Sequence, residues 1–228
     1  MVDWLGSRLD LSEFSALHLT ILVDSDVVKL HHILQNRTHH LTYLYLCLMG
    51  TDDNSYESLS LLSHSRLECV ELGLFWELQT GYLRHIGSIS SRILQLIPPL
   101  IVYLTFTFLG NPDLESLAAL ESSWKIIDNA LGDPKFNRLT HFVIDPKFHW
   151  SPYRTAFQMT FRNMLPKCYQ RRILWVAYVR DSEERGEHRS TSTAHFSLLR
   201  LRDTAVNICG GDERDISLTQ IRNSYFCE

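Results

Sequence analysis

The chain contains no Cys-x-x-Cys pair, and its five cysteines (Cys47, Cys69, Cys168, Cys209 and Cys227) are scattered and odd in number. That pattern points to a reducing compartment, cytoplasmic or nuclear. The ten glycines are dispersed and build no phosphate-cradling loop. No G-x-S-x-G and no cysteine in a recognisable active-site motif occurs, so no catalytic residue is assigned and no enzyme is expected. Positive charge is not in excess. Lys and Arg number 22 against 26 Asp and Glu, a net charge of -4, which points away from nucleic acid and from anionic membranes as partners. The N-terminal MVDWLGSRLDLSEF has early acids and no apolar core of signal-peptide type. Without an export signal, the sequon Asn36-Arg37-Thr38 is expected to be inert.

One long apolar run exists, residues 93–109, and Pro98-Pro99 divides it. It is short for a spanning helix of about 20 residues, and its second half is β-branched and aromatic. The expectation is a helix end, a turn and a buried strand, with no membrane partner. His31-His32 and His39-His40 place four imidazoles close together. Neighbouring helical residues point about 100° apart, and no Cys or Asp stands at a familiar ligand spacing, so no metal and no cofactor are expected.

What the sequence does have is repetition. The pattern L-x-x-L-x-L, with any large apolar residue at the L positions, recurs six times. Its copies are Phe14-Leu17-Leu19, Leu41-Leu44-Leu46, Leu67-Val70-Leu72, Ile101-Leu104-Phe106, Leu139-Phe142-Ile144 and Ile173-Val176-Tyr178. Alternation of period two predicts strands, each with one buried face. Between them run segments of helical spacing, such as Leu83-Ile86-Ile89-Ile93-Leu96, Leu117-Leu120-Trp124-Ile127-Leu131 and Tyr153-Phe157-Phe161-Met164. Shorter ones are Val27-Val28-Leu30-His31-Leu34 and Tyr56-Leu59-Leu62. Several end at a proline or at Gly132.

Strand–helix units in series give a parallel sheet. The positions between the apolar residues are mostly polar or small, so one sheet face is expected to be wet. That favours an α/β one-sided solenoid, with helices on the convex side only, over a doubly wound sheet. Residues 1–13 form a lead-in, 14–180 the solenoid of about six units, and 181–228 a polar tail. The tail is expected to be poorly ordered, with a short helix around Ala194–Arg202. Cys47 and Cys69 fall on neighbouring strands four positions out of register, too far for a disulfide.

The strands L41-x-x-L44-x-L46-x-L48 and L67-x-x-V70-x-L72-x-L74, each followed by helical spacing, resemble leucine-rich repeats. The stretches WKIIDNALGDPKFNRLTHFVID (residues 124–145) and FQMTFRNMLPKCYQRRILWVAYV (residues 157–179) are more particular. Together they resemble the repeat region of F-box proteins from mushroom-forming fungi. The resemblance implies a substrate-recognition role within a ubiquitin ligase. Two features depart from it. The Asn or Cys that standard repeats carry after the strand is replaced by Leu22, Met49, Phe75, Leu109, Lys147 and Asp181, so the turns must close in another way. No segment ahead of Phe14 looks like an F-box, so adaptor binding is not carried over.

The expected function is protein recognition through the concave strip, by a partner the sequence does not identify. His18, Tyr43, Tyr45, Glu71, Tyr103, Thr105, His141 and Trp175 are its candidate contact residues. Tyr and Trp are the residue types that anchor interfaces. The bland alternative is that exposed strands favour Tyr and Thr in any case. Two other readings stay open: a truncated F-box relative without independent activity, and an enzyme whose site leaves no motif.

Overall fold

The computed structural model describes residues 15–21, 27–28, 30–31, 34, 40–48, 59, 61, 65–77, 82–83, 86–110, 113–145, 154–178, 204–207 and 215–216. Six parallel strands follow one another in chain order: β1 (Ala16–Ile21), β2 (Tyr43–Leu48), β3 (Cys69–Glu77), β5 (Tyr103–Leu109), β6 (His141–Asp145) and β7 (Leu174–Tyr178). The two-residue β4 (Tyr82–Leu83) pairs antiparallel with the end of β3. Two tail strands, β8 (Thr204–Asn207) and β9 (Asp215–Ile216), extend the sheet antiparallel beyond β7. The tail helix expected around 194–202 lies outside the described residues.

The helices occupy the crossovers. A run over 86–96, α1, holds a π turn at Ile89–Ile93 between two short α segments. It begins three residues later than the spacing predicts, because Leu83 is drawn into β4. Helices α2 (Leu114–Ala119) and α3 (Glu121–Leu131) lie between β5 and β6. Asp113 caps α2, its carboxylate accepting from Ser116 N at 2.6 Å, and that bond holds the Asp113 carboxyl below its ordinary pKa. Helices α4 (Arg154–Met164) and α5 (Pro166–Gln170) precede β7. Pro166 both stops α4 and starts α5, since a proline at the first turn gives up no helical hydrogen bond. Residues 27, 28, 30, 31 and 34 are helical as expected, whereas Leu59 and Leu61 are buried in irregular backbone. The π turn and Pro98 end the apolar run as a helix before β5. Among the described residues, no helix is long and apolar enough to cross a membrane.

The core lies between the helices and one sheet face. Leu44, Leu72, Leu104 and Phe142, the expected core positions, are fully buried. Trp124 on α3 is its centre, 5.1 Å edge-on to Phe161 of α4 and 6.3 Å from both Phe106 and Phe108 of β5. Every described helical residue of the core packs on this face. The buried apolar cluster on the opposite face, Val143, Trp175 and Ala177, comes from strands alone. Edge-on aromatic pairs of this kind add about 0.5–1.5 kcal/mol each to the burial itself.

The register matches the sequence template across the first five parallel strands: Leu17, Leu44, Val70, Leu104 and Phe142 lie in one row. The sixth strand slips by two. Phe142 pairs with Leu174, not Val176. The governing landmarks are Pro134 and Pro166, each eight residues ahead of the paired Phe142 and Leu174. Pro134 opens a 3-10 turn (Pro134–Phe136) and Pro166 opens α5, so the two repeats enter their strands equivalently. A two-residue slip keeps every side chain on its face, which is why the alternation does not betray it.

The turns are closed by side chains that reach across repeats. Asp128 of α3, nearly fully buried, accepts from Lys167 N at 3.0 Å and Cys168 N at 2.9 Å, capping α5. Lys135 Nζ donates back to the carbonyls of Leu94 (3.2 Å) and Gln95 (2.6 Å) at the end of α1. Arg171 does the same one repeat later, to the carbonyls of Leu131 and Phe136. Each cation thus meets the negative end of the preceding helix. Arg172 then takes a left-handed conformation (φ 59°), and Ile173 N bonds Cys168 O while Arg172 N bonds Tyr169 O, the Schellman ending without its usual glycine.

Candidate recognition strip

The candidate site is the sheet face turned away from the helix-packed core. Its residues alternate with the core residues along each strand, so the pleat alone places them together. Adjacent parallel strands lie about 4.8 Å apart, which brings side chains of one register row into contact. One row is Ala16, Tyr43, Cys69, Tyr103 and His141. The next is His18, Tyr45, Glu71, Thr105, Val143 and Trp175.

All eight candidate residues stand on this face, but the face is not uniformly wet. His18 is exposed, and Tyr43, Tyr103, Thr105 and His141 are half-buried. Tyr45 is 3% exposed, Glu71 4% and Trp175 6%, so those three do not offer the open surface that the alternation suggests. Large side chains here lie over small neighbours. A Cβ on Gly73 would stand 2.6 Å from Cys47 Cβ and 3.1 Å from Tyr45 Oη, so the bare glycine is what lets Tyr45 and Cys47 close over the strand. His18 in turn packs on Tyr45, with ring centroids 3.8 Å apart. Tyr45 is therefore a packing residue, and Tyr45→Ala removes structure as well as surface.

Polar satisfaction accounts for Glu71. Tyr43 Oη donates to its Oε2 at 2.8 Å, and Thr107 Oγ1 donates to Oε1 at 2.6 Å. One carboxylate so ties β2, β3 and β5 together. Charge-assisted bonds of this kind are the short and strong ones. The pairing of Tyr43 with Glu71 was not legible in the sequence, because it crosses a row diagonally. Asp145, likewise buried, stands beside Thr107 in register.

An aromatic stack crosses the strip, half-buried at Tyr103 and His141 and buried at Trp175. Tyr103 and His141 stack at 4.5 Å and 21°, and His141 and Trp175 at 4.9 Å and 28°. Burial pushes the His141 imidazole down to a pKa of about 4, so the ring is neutral at pH 7. Thr140 Oγ1 lies 2.8 Å from its Nδ1. The Trp175 indole N–H is buried and meets no acceptor among the described residues.

The other sequence candidates resolve simply. Cys47 pairs in register with Gly73 and Cys69 with Tyr43, so the two cysteines are four residues, roughly 13 Å, apart along the sheet and beyond disulfide reach. His31 is half-buried, and exposed His40 sits 2.8 Å from Arg66 Nη1 through its Nδ1. His32 and His39 lie outside the described residues, as does the sequon. Among the described residues, no three His, Cys, Asp or Glu side chains gather to hold a metal ion.

Comparison with protein-family models, with curated proteins and with solved structures returns no match for this chain.

Proposed function

We propose that the chain is a non-enzymatic protein-recognition module, an irregular leucine-rich-repeat solenoid that binds a partner protein along its concave strip. The observation that carries this is the stack Tyr103–His141–Trp175, laid across three neighbouring strands on a face that no described helix packs against. Aromatic side chains held rigid by one another lose little entropy on binding, and such residues dominate interface energetics. The resemblance to fungal F-box repeat regions supports a role in choosing substrates for ubiquitin ligation, in the cytoplasm or nucleus. Adaptor binding is no part of the proposal.

Affinity capture from the native cells tests it, with the wild type compared to Tyr103→Ala/His141→Ala and to Ile126→Ser. Ile126 is exposed on α3, away from the strip. The expected result is a partner retained by the wild type and by Ile126→Ser, and lost by the strip variant while its thermal melt stays cooperative. Equal capture by all three would place recognition elsewhere and overturn the proposal.

A further inference from the structure

The parallel sheet ends in a different kind of strand. Phe142 N donates to Ile173 O, so the backbone groups of Ile173, Trp175 and Ala177 on β7 face β6. Backbone groups alternate in direction along a strand, so those of Val176 and Tyr178 face outward. There β8 meets them antiparallel, with Val206 opposite Val176 and Thr204 opposite Tyr178. Without β8 this edge would present unpaired N–H and C=O groups, a template for any extended chain.

The hold on β8 differs from the hold on the parallel strands. Each crossover from β3 to β7 carries a described helix, and none is described beyond β7. The pairing of β8 with β7 spans four residues, against seven between β3 and β5. Its other partner is the two-residue β9, and an isolated pair of strands is marginal in water, so β8 and β9 depend on β7 for their order. Residues 179–203 tether β8 to β7. A tether of this kind supplies its strand at an effective concentration of about a millimolar, which is the level a competing strand has to match.

The edge that β8 fills also bounds the candidate strip. Trp175, the last member of the aromatic stack, is opposite Asn207, and Ala177 is opposite Ala205. A strand in the place of β8 therefore continues the strip by one more strand. What such a strand needs is set by β8 itself: an extended antiparallel backbone, with an N–H, hence no proline, opposite Val176 and Tyr178.

We propose that the outer edge of β7 is a strand-acceptor site that β8 closes, and that an extended segment of the partner polypeptide displaces β8 and pairs there antiparallel. This rests on the recognition reading above and adds how the partner docks and which segment holds the site shut.

Two measurements on the full chain test it. Amide exchange of the wild type reads whether β8 comes away alone. The N–H groups of Val176 and Tyr178, turned to β8, should exchange about tenfold faster than those of Trp175 and Ala177, turned to β6. Equal rates for all four would overturn the proposal. Fluorescence anisotropy of a labelled peptide of residues 202–217 reads whether the edge accepts a strand from outside. Val206→Pro removes the N–H that faces Val176, so this variant should bind the peptide about tenfold tighter than the wild type, whose own β8 competes. The same peptide N-methylated at the position of Val206 lacks that donor and should bind about tenfold more weakly. The proposal is overturned if Val206→Pro binds the peptide no better than the wild type, if N-methylation is indifferent, or if Val206→Pro captures the native partner no better than the wild type does. Neither amide exchange nor peptide binding involves Tyr103 or His141, so the strand-acceptor site and the recognition reading can fail separately.

Discussion

Both faces of the parallel sheet bury side chains, and they achieve it by different physics. On the helix side, Leu44, Leu72, Leu104 and Phe142 are buried by side chains from other elements, with Trp124 and Phe161 interdigitating among them. On the strip side, rings lie over glycine and small residues of the same sheet, and Glu71 satisfies two hydroxyls at once. The lesson is that polar alternation along a strand marks which face avoids the apolar core, not which face water reaches. A Tyr or Glu at an outward position can still be removed from solvent by its neighbours in the adjoining rows.

That difference is easiest to break where the energies are largest. Phe142→Ala empties a packed volume on the helix side and should cost about 3–5 kcal/mol in urea unfolding. Tyr103→Ala, half-buried on the other face, should cost about 1 kcal/mol or less. Equal losses would mean that the strip side is a second full core. Gly73→Ala probes the strip side directly. Its new Cβ meets Cys47 Cβ, an atom near the backbone that cannot swing away, so the expected loss is about 1–3 kcal/mol. Adding Cys47→Gly should recover part of it. A Gly73→Ala chain as stable as the wild type would show that the strip side is loosely packed.

Most of the scaffold was legible in the sequence, because period-two alternation and helical spacing are local signals. They give six parallel strands, the core residues and the register of the first five strands. What they miss is set by contacts across repeats. The slip at β7 follows from the Pro134 and Pro166 turns, which a match on Ile173-Val176-Tyr178 ignores. Leu83 joins a strand because β3 runs long enough to pair with it. The candidate strip residues all share the predicted face, yet the burial of Tyr45 depends on Gly73 and that of Glu71 on Tyr43 and Thr107. Neither dependence has a one-dimensional signature. The tail strand β8 was missed because its pairing partner, β7, is some thirty residues away in sequence.

The links between repeats offer a smaller effect. Asp128→Ala takes the acceptor from Lys167 N and from the buried Cys168 N, and leaves the start of α5 uncapped. The expected loss is about 1–2 kcal/mol, measured as a shift in urea midpoint without a change of slope. Asp128→Asn keeps one acceptor oxygen and should lose less. Because α5 precedes β7, hydrogen exchange should quicken first in β7 and leave β2 and β3 unchanged. Uniform quickening would mean that the repeats do not open separately.

The smallest expected effect sits inside the aromatic stack and separates burial from charge. His141 is neutral in the folded chain down to a pKa of about 4, whereas the same imidazole in the unfolded chain takes its proton near 6.5. Its neighbours are the Tyr103 and Trp175 rings and the Thr140 hydroxyl, none of which compensates a positive charge. The unfolded state therefore binds more protons between these two values. The contribution of His141 is complete above pH 6.5 and is lost as pH falls toward 4. His141→Phe keeps a ring in the stack and removes the titration. Urea midpoints taken from pH 7.5 down to pH 4.5 should fall more steeply for the wild type than for His141→Phe, and the gap between them should widen across that window. The carboxylates titrate in both chains, so the difference between the curves isolates the imidazole. Parallel curves would mean that water reaches His141 in the folded chain, and with it that the strip is open where the stack now shields it.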